Sequence, residues 1–412
     1  MPGPTNVTTP APNAPVTRSG RRVPDGVWIC VLALLTAVAP LATDMYLPVL
    51  PQVAAELGAP ASGAQLTLTA FLVGLATGQL VIGPLSDAFG RRRLVLAGTV
   101  LLLLASVASA LAPSIAVLVV ARFLQGFGGA AGVVLSRAMI SDRTTGVRTV
   151  RLFSVMMAIN GIAPVLAPMI GSAIGGLVGW RGIFVVLAAL ALLMLVASSV
   201  AVGETLDTDA RTTGGLRRTF TDMGTLLRRP RFVGYLLAFA AAFAMMFAYI
   251  SGSPFVLQQT LGLSPTQYAL AFGANAAGLT LANIVSGRLA SRIAPRRMLV
   301  TAVGLLVVLC AALTAVTLLG AARWPVLVLL FAILTTLGFV MGNGAALATG
   351  EVRDRAGTGS ALLGATQFGL GAVVSPLAGA DPVAMAVVML VAVSVSALAL
   401  AALTRGPRAT PH

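Results

Sequence analysis

Runs of about twenty apolar residues, separated by short charged turns, recur along this chain and leave it few ways to fold. Lipid offers no hydrogen-bond partner to a peptide group, so a run of that length crosses a bilayer as a helix. Such windows fall near 27–50, 64–86, 94–112, 115–137, 150–178, 182–202, 232–257, 266–290, 298–320, 324–348, 357–380 and 382–403. The pattern predicts an all-α integral membrane protein with twelve transmembrane helices. Composition agrees: 58% of residues are hydrophobic and 9% charged, against about 25% charged in a soluble domain.

The basic residues orient the spans. All 27 are arginine. Twenty-four lie in the N-terminal segment, the C-terminal segment or every second connection, around 87–93, 138–150, 203–231, 288–297 and 350–356. Of the others, Arg181 and Arg323 fall in the remaining connections and Arg122 lies inside a span. Cytoplasmic loops of membrane proteins carry such an excess, which places both termini in the cytoplasm. Charge spread over short loops, rather than gathered on one face, excludes nucleic acid as the partner of this chain of net charge +15.

Residues 1–26 are rich in Pro, Thr and Asn and are expected to be a disordered cytoplasmic tail. The arginines before the first span resemble the start of a signal peptide. Asp44 and Pro48 at its far end, and eleven spans after it, make it a retained helix instead. Residues 27–202 form a first six-helix bundle and 232–404 a second. Residues 203–231 are a charged linker, expected to be solvated, with a short amphipathic helix around Leu216–Leu227 as the alternative; 405–412 is a second tail. Cys30 and Cys310 sit in apolar spans, and the single histidine is His412, so no metal spacing exists. No P-loop, Ser/His/Asp set or HExxH motif occurs. Composition and motifs point away from an enzyme and from an ATP-driven pump, and no cofactor is expected.

One segment repeats. GPLSDAFGRRR at 83–93 aligns without gaps with GRLASRIAPRR at 287–297, an offset of 204 residues, close to half the chain. Gly83 and Gly90 allow close approach and a sharp turn, Arg91, Arg92 and Arg93 hold the turn at the cytoplasmic side, and Asp87 is placed to accept from a neighbouring helix start. The expected partner is the helix beginning near Gly357–Ser360, with Arg91 and Asp142 completing a latch that closes the cytoplasmic side.

Charge inside a membrane is costly and marks function. Two charges sit clearly inside spans, Asp44 and Arg122. Both are about 10 Å below the outer surface, so the two can approach or share a cavity. With no lysine and no internal histidine, Asp44 is the group available to carry a coupled proton; the plainer reading is a helix-end cap. Pro164 and Pro168, with Gly171 and Gly175, mark the fifth span as a kinked, closely packed helix. Tyr46, Gln79, Gln125, Asn160, Phe247, Tyr249, Asn275 and Gln367 are candidates for a substrate pocket or for helix–helix contacts, and Asp381 for the cap of the last helix.

GPLSDAFGRRR resembles the signature loop between helices two and three of the major facilitator superfamily, and a duplicated half agrees. ARFLQGFGGAAG resembles that family's fourth-helix motif around its buried arginine, here Arg122. APVLAPMIGSAIGG resembles the fifth-helix antiporter motif of drug exporters. TDMYLPVLP, SRAMISD, AYISGSPFVLQ and AGTGSALLGATQFG are similar to the Bcr/CflA group of bicyclomycin, chloramphenicol and florfenicol exporters. The resemblance implies a monomeric drug:proton antiporter of the bacterial inner membrane, working by alternating access on the proton gradient, with a small-molecule substrate. An exporter of one endogenous metabolite, an uptake symporter, and a membrane sensor or scaffold without transport are the competing readings.

Overall fold

The computed structural model describes residues 25–144, 146–206, 215–320, 322–352 and 355–404. Thirteen α-helices follow in order: α1 (Asp25–Asp44), α2 (Leu50–Glu56), α3 (Ala61–Phe89), α4 (Arg91–Ala110), α5 (Ile115–Arg143), α6 (Gly146–Ala201), α7 (Gly215–Leu226), α8 (Pro230–Phe255), α9 (Pro265–Leu289), α10 (Pro295–Leu318), α11 (Arg323–Gly350), α12 (Ala356–Val374) and α13 (Pro382–Leu403). Among the described residues, eleven stretches are long and apolar enough to cross a membrane. One of them contains two crossings. At 56 residues, α6 would extend about 84 Å if straight, more than twice a hydrocarbon core. Gly179, at φ 72°, breaks it into the fifth and sixth spans.

Helix starts follow local chemistry. Proline opens α8, α9, α10 and α13, where its missing N–H costs nothing. Ser264 and Gln267 form a reciprocal capping box on α9. As expected, Asp381 caps α13 by accepting from the Ala384 amide at 2.8 Å. Gly90, at φ 94°, ends α3 and lets α4 start at the next residue.

The packing of the first six spans is repeated by the second six. α5 lies against α3 and α4, and α11 lies against α9 and α10. α4 pairs with the fifth-and-sixth-span helix α6 as α10 pairs with α13. The two sets meet where α3 lies along α12 and α6 along α9. Close approach of α3 to α5 needs glycine: a side chain at Gly126 would run into the backbone of Phe71, and one at Gly74 into that of Phe123.

Several expectations change. The first span is not one helix over 27–50. Pro48 cannot donate to the carbonyl of Asp44 four residues earlier, and its ring would clash there, so α1 ends at Asp44. A short 3-10 turn, Leu47–Val49, then leads into α2. The loop expected at 138–150 is largely helical, since α5 continues to Arg143 and α6 begins at Gly146. The linker is not simply a solvated strand of charge. Its residues Gly215–Leu226 form α7, which buries Met223 and Leu226 and lies against α3 and α12. Its Asp222 pairs with Arg355 at 2.8 Å. The tails at 1–24 and 405–412 lie outside the described residues.

Candidate functional site

The break after α1 builds the site. Asp44 is its last residue and is 5% exposed. Its carboxylate has no hydrogen bond or ion pair among the described residues. It lines a cavity of about 1020 Å³ between the two sets of spans. The walls come from α1 (Ala39, Pro40, Thr43), α3 (Leu72, Leu75), α6 (Thr149, Phe153, Gly161, Pro164), α8 (Phe243, Met246, Phe247, Tyr249), α9 (Phe272, Asn275, Asn283, Gly287) and α12 (Phe368). Thr149 and Phe153 lie near the start of α6, and Ile284 and Gly287 in its last turns of α9. The cavity therefore runs from Asp44 toward the arginine-rich ends of those helices.

Thr43, Tyr249 and Asn275 line the cavity with Asp44, Thr149, Thr280 and Asn283 add further polar positions, and the remaining wall is mostly apolar. Asn275 Nδ2 donates to the Tyr249 hydroxyl at 2.8 Å. Tyr249 stacks on Phe272, with ring centroids 5.6 Å apart. Phe243 stands edge-on to Phe368 at 5.3 Å. Of the expected pocket residues, Phe247, Tyr249 and Asn275 line this cavity. Tyr46, Gln79, Gln125 and Gln367 do not. Tyr46 is fully buried with its hydroxyl 3.1 Å from that of Thr67, Gln125 belongs to the arginine site below, and Gln79 is buried where α3 meets Gly364 of α12. The side chain of Asn160 lies outside the described residues.

Arg122 is fully buried but does not meet Asp44. Its Nη1 donates to the carbonyl of Ala42 at 3.0 Å and to Gln125 Oε1 at 2.6 Å. Gln125 Nε2 donates onward to Ser106 at 2.8 Å. Three rings surround the guanidinium: Phe71 at 4.4 Å, Tyr46 at 5.1 Å and Phe184 at 5.7 Å. Among the described residues, Nε and Nη2 have no hydrogen-bond partner. The expected pairing of the two membrane charges is therefore replaced by an indirect link. Arg122 grips the last turn of α1 from behind, two residues before Asp44, and is absent from the cavity wall.

The fifth span completes this arrangement. α6 keeps helical backbone angles through Pro164 and Pro168, and its break is at Gly179 instead. Pro164 lines the cavity, and Pro168 is buried. A side chain at Gly171 would collide with the backbone of Met45, and one at Gly175 with Val49. These two glycines house the chain that follows Asp44.

At the arginine-rich face, Arg91 pairs with Asp87 at 2.6 Å and Asp142 at 3.2 Å and also donates to Ser86. Arg92 donates to the carbonyls of Val202 at 2.8 Å and Ser199 at 2.9 Å. Glu204, expected only as one of the linker's charges, accepts from the Arg91 amide at 2.9 Å and caps α4. Gly83 faces Val134 of α5. Among the described residues the Asp87 carboxylate forms an ion pair with Arg91 and no hydrogen bond to the start of α12.

At the opposite face the two sets of spans are tied. Gln65 Nε2 donates to the carbonyls of Ser251 and Gly379, and Gln258 Nε2 to that of Pro48. Neither glutamine had a sequence signal, since each bond joins residues far apart in the chain.

The geometry is that of a carrier, and comparisons agree. The family model of the Major Facilitator Superfamily matches residues 32–376. The chain is 38% identical over 380 residues to YdgK of Bacillus subtilis, described as an uncharacterized MFS-type transporter, covering 91% of this chain and 94% of that one. It is 28% identical to a bicyclomycin resistance protein homolog of Haemophilus influenzae, covering 85% and 88%. The crystal structure of a bacterial homolog of the human lysosomal transporter Spinster, in an inward-facing and unoccupied conformation, superposes with a TM-score of 0.73 at 17% identity, over 91% of this chain and 95% of that one. Twelve membrane-spanning helices in a repeated packing pattern, a cavity between the repeats and the family match together make this chain a member of the Major Facilitator Superfamily, a multi-pass membrane transporter and not an enzyme.

Proposed function

We propose that this transporter exports drug-like small molecules across the cytoplasmic membrane of a bacterium in exchange for protons, with both termini in the cytoplasm. One observation carries the reading. Asp44, the acid inside the membrane, lines a large apolar cavity with no partner among the described residues. A lone anion there is stabilised either by a proton or by a hydrogen-bond donor or cation on the cargo. One carboxylate cannot hold both, and that exclusion is the basis of exchange.

The other groups follow from that role. Arg122 fixes the end of α1 and so the position of the carboxylate. Gly171 and Gly175 let α6 slide against the segment after Asp44, as rocking of packed helices requires. Phe243, Phe247, Met246 and Phe272 offer adaptable apolar area to the cargo body. Asp87 reaches the start of α12 when the arginine-rich face shuts. Relatedness to a bicyclomycin resistance protein homolog supports drugs as the cargo.

A drug-susceptibility panel tests the proposal. A strain lacking its own exporters, carrying the wild-type gene, should tolerate more of at least one amphenicol or bicyclomycin-like compound. The same strain carrying Asp44→Asn, present in the membrane at equal level, should not. Equal susceptibility with and without the wild-type gene across the panel would contradict drug export.

A further inference from the structure

Gln65 occupies the second turn of α3 and is fully buried. Its side-chain amide spends both N–H groups on the other set of spans. One goes to the carbonyl of Ser251 on α8 at 3.1 Å, the other to that of Gly379 at 2.7 Å. Gly379 lies just past a 3-10 turn, Ser375–Ala378, that ends α12, and its φ of 62° is open to glycine without strain. The Ser251 hydroxyl donates to the carbonyl of Ser375 at 2.8 Å, binding α8 to the same turn. One side chain thus ties α3 to two helix ends of the opposite repeat. Gln258, donating to the carbonyl of Pro48 at 3.1 Å, is a second tie at that face.

The bond set is incomplete in a telling way. Among the described residues, Gln65 Oε1 is buried without a hydrogen-bond partner. An unmade bond at a buried acceptor is unfavourable. Separation of the helix ends would expose that oxygen, the two N–H groups and the two carbonyls to water, which satisfies all of them. Such a tie can break without leaving a polar group stranded.

We propose that Gln65 is the catch of the gate remote from the arginine-rich face, and that its release is a step of the transport cycle. The proposal rests on alternating access and not on which cargo is carried.

The test is a distance measurement in nanodiscs with no cargo added. Spin labels replace Ala55 and Thr266 at the gated face in one sample, and Phe89 and Arg292 at the arginine-rich face in another, in a chain carrying Cys30→Ser and Cys310→Ala. Gln65→Leu removes both donors. Gln65→Glu sets a carboxylate oxygen against two carbonyls. Both should enrich a longer Ala55–Thr266 distance and a shorter Phe89–Arg292 distance, by on the order of tenfold in population ratio, the worth of one to two net hydrogen bonds. Gln65→Glu should shift further. If Gln65→Leu does not fold, Gln65→Met replaces it. Unchanged distributions in folded variants would overturn the catch. Shifted distances in a chain that exports no drug would leave the catch standing and remove the export reading.

Discussion

Replacing Arg122 with methionine separates a transport role from a packing role. Methionine keeps much of the length and apolar body and removes the charge. The variant loses two charged hydrogen bonds, to Ala42 and Gln125, at about 1.5–3 kcal/mol each. It also loses the cation–π contacts, at about 2 kcal/mol together. Against this, two nitrogens, Nε and Nη2, buried without hydrogen-bond partners among the described residues disappear, each costing about 1–3 kcal/mol in the wild type. The desolvation of a buried cation, several kcal/mol, disappears as well. The sides cancel to within a few kcal/mol. Arg122→Met should therefore reach the membrane and unfold within several degrees of the wild type by thermal scanning of detergent-purified protein. Efflux is another matter. Without its grip on Ala42, the last turn of α1 no longer fixes Asp44, and the loss of even one charged bond's positioning lowers drug efflux by roughly tenfold or more. Arg122→Lys should recover part of it, because an ammonium replaces the charge but not the fork. Normal efflux in Arg122→Met would refute the positioning role. Loss of efflux together with gross unfolding would refute the energy balance.

Three further outcomes are expected. Asp87→Ala should raise thiol labelling at the arginine-rich mouth and cut efflux while cargo binding is kept; unchanged labelling with normal efflux would leave the turn only an anchoring role. Gly171→Leu should drive a side chain into the backbone at Met45, cost about 1–3 kcal/mol by thermal unfolding and lower efflux, whereas substitution at Gly176, which faces open space, should leave both near wild type. Single cysteines at Gly58 and Ser264, in a chain without Cys30 and Cys310, should react with an impermeant reagent from outside the cell, and reaction only from the cytoplasm would reverse the proposed topology.

The membrane-spanning architecture was legible because lipid imposes one rule on every span, and apolar length reports it directly. Local chemistry was legible for the same reason. Asp381 precedes a proline at a helix start, and it caps α13. The break at Asp44 had a signal too: Pro48 stands four residues on, at the spacing that cancels a helical bond. What could not be read were bonds joining residues far apart in sequence. Arg122 is seen beside Asp44 in depth alone, yet it turns to Ala42, Gln125 and three aromatic rings from other helices. Gln65 and Gln258 look like any amides near helix ends until the two repeats face each other. Glu204 read as one more linker charge, and its role comes from the proximity of the sixth span's end to the start of α4. Tyr46 and Gln125, polar and inside spans, belong to the arginine site because helix rotation, which hydropathy does not report, turns them from the cavity.

Proton flux driven by cargo tests the central claim most directly. Purified transporter is placed in liposomes holding a pH-sensitive dye, a cargo found in the susceptibility panel is added on one side, and the dye reports proton movement. Wild-type protein should move protons in the direction opposite to the cargo, and Asp44→Asn, which neither carries a proton nor offers the cargo a charge, should show no cargo-driven proton movement. Proton counterflow of normal size in Asp44→Asn, or cargo transport by the wild type with no proton movement, would contradict the account.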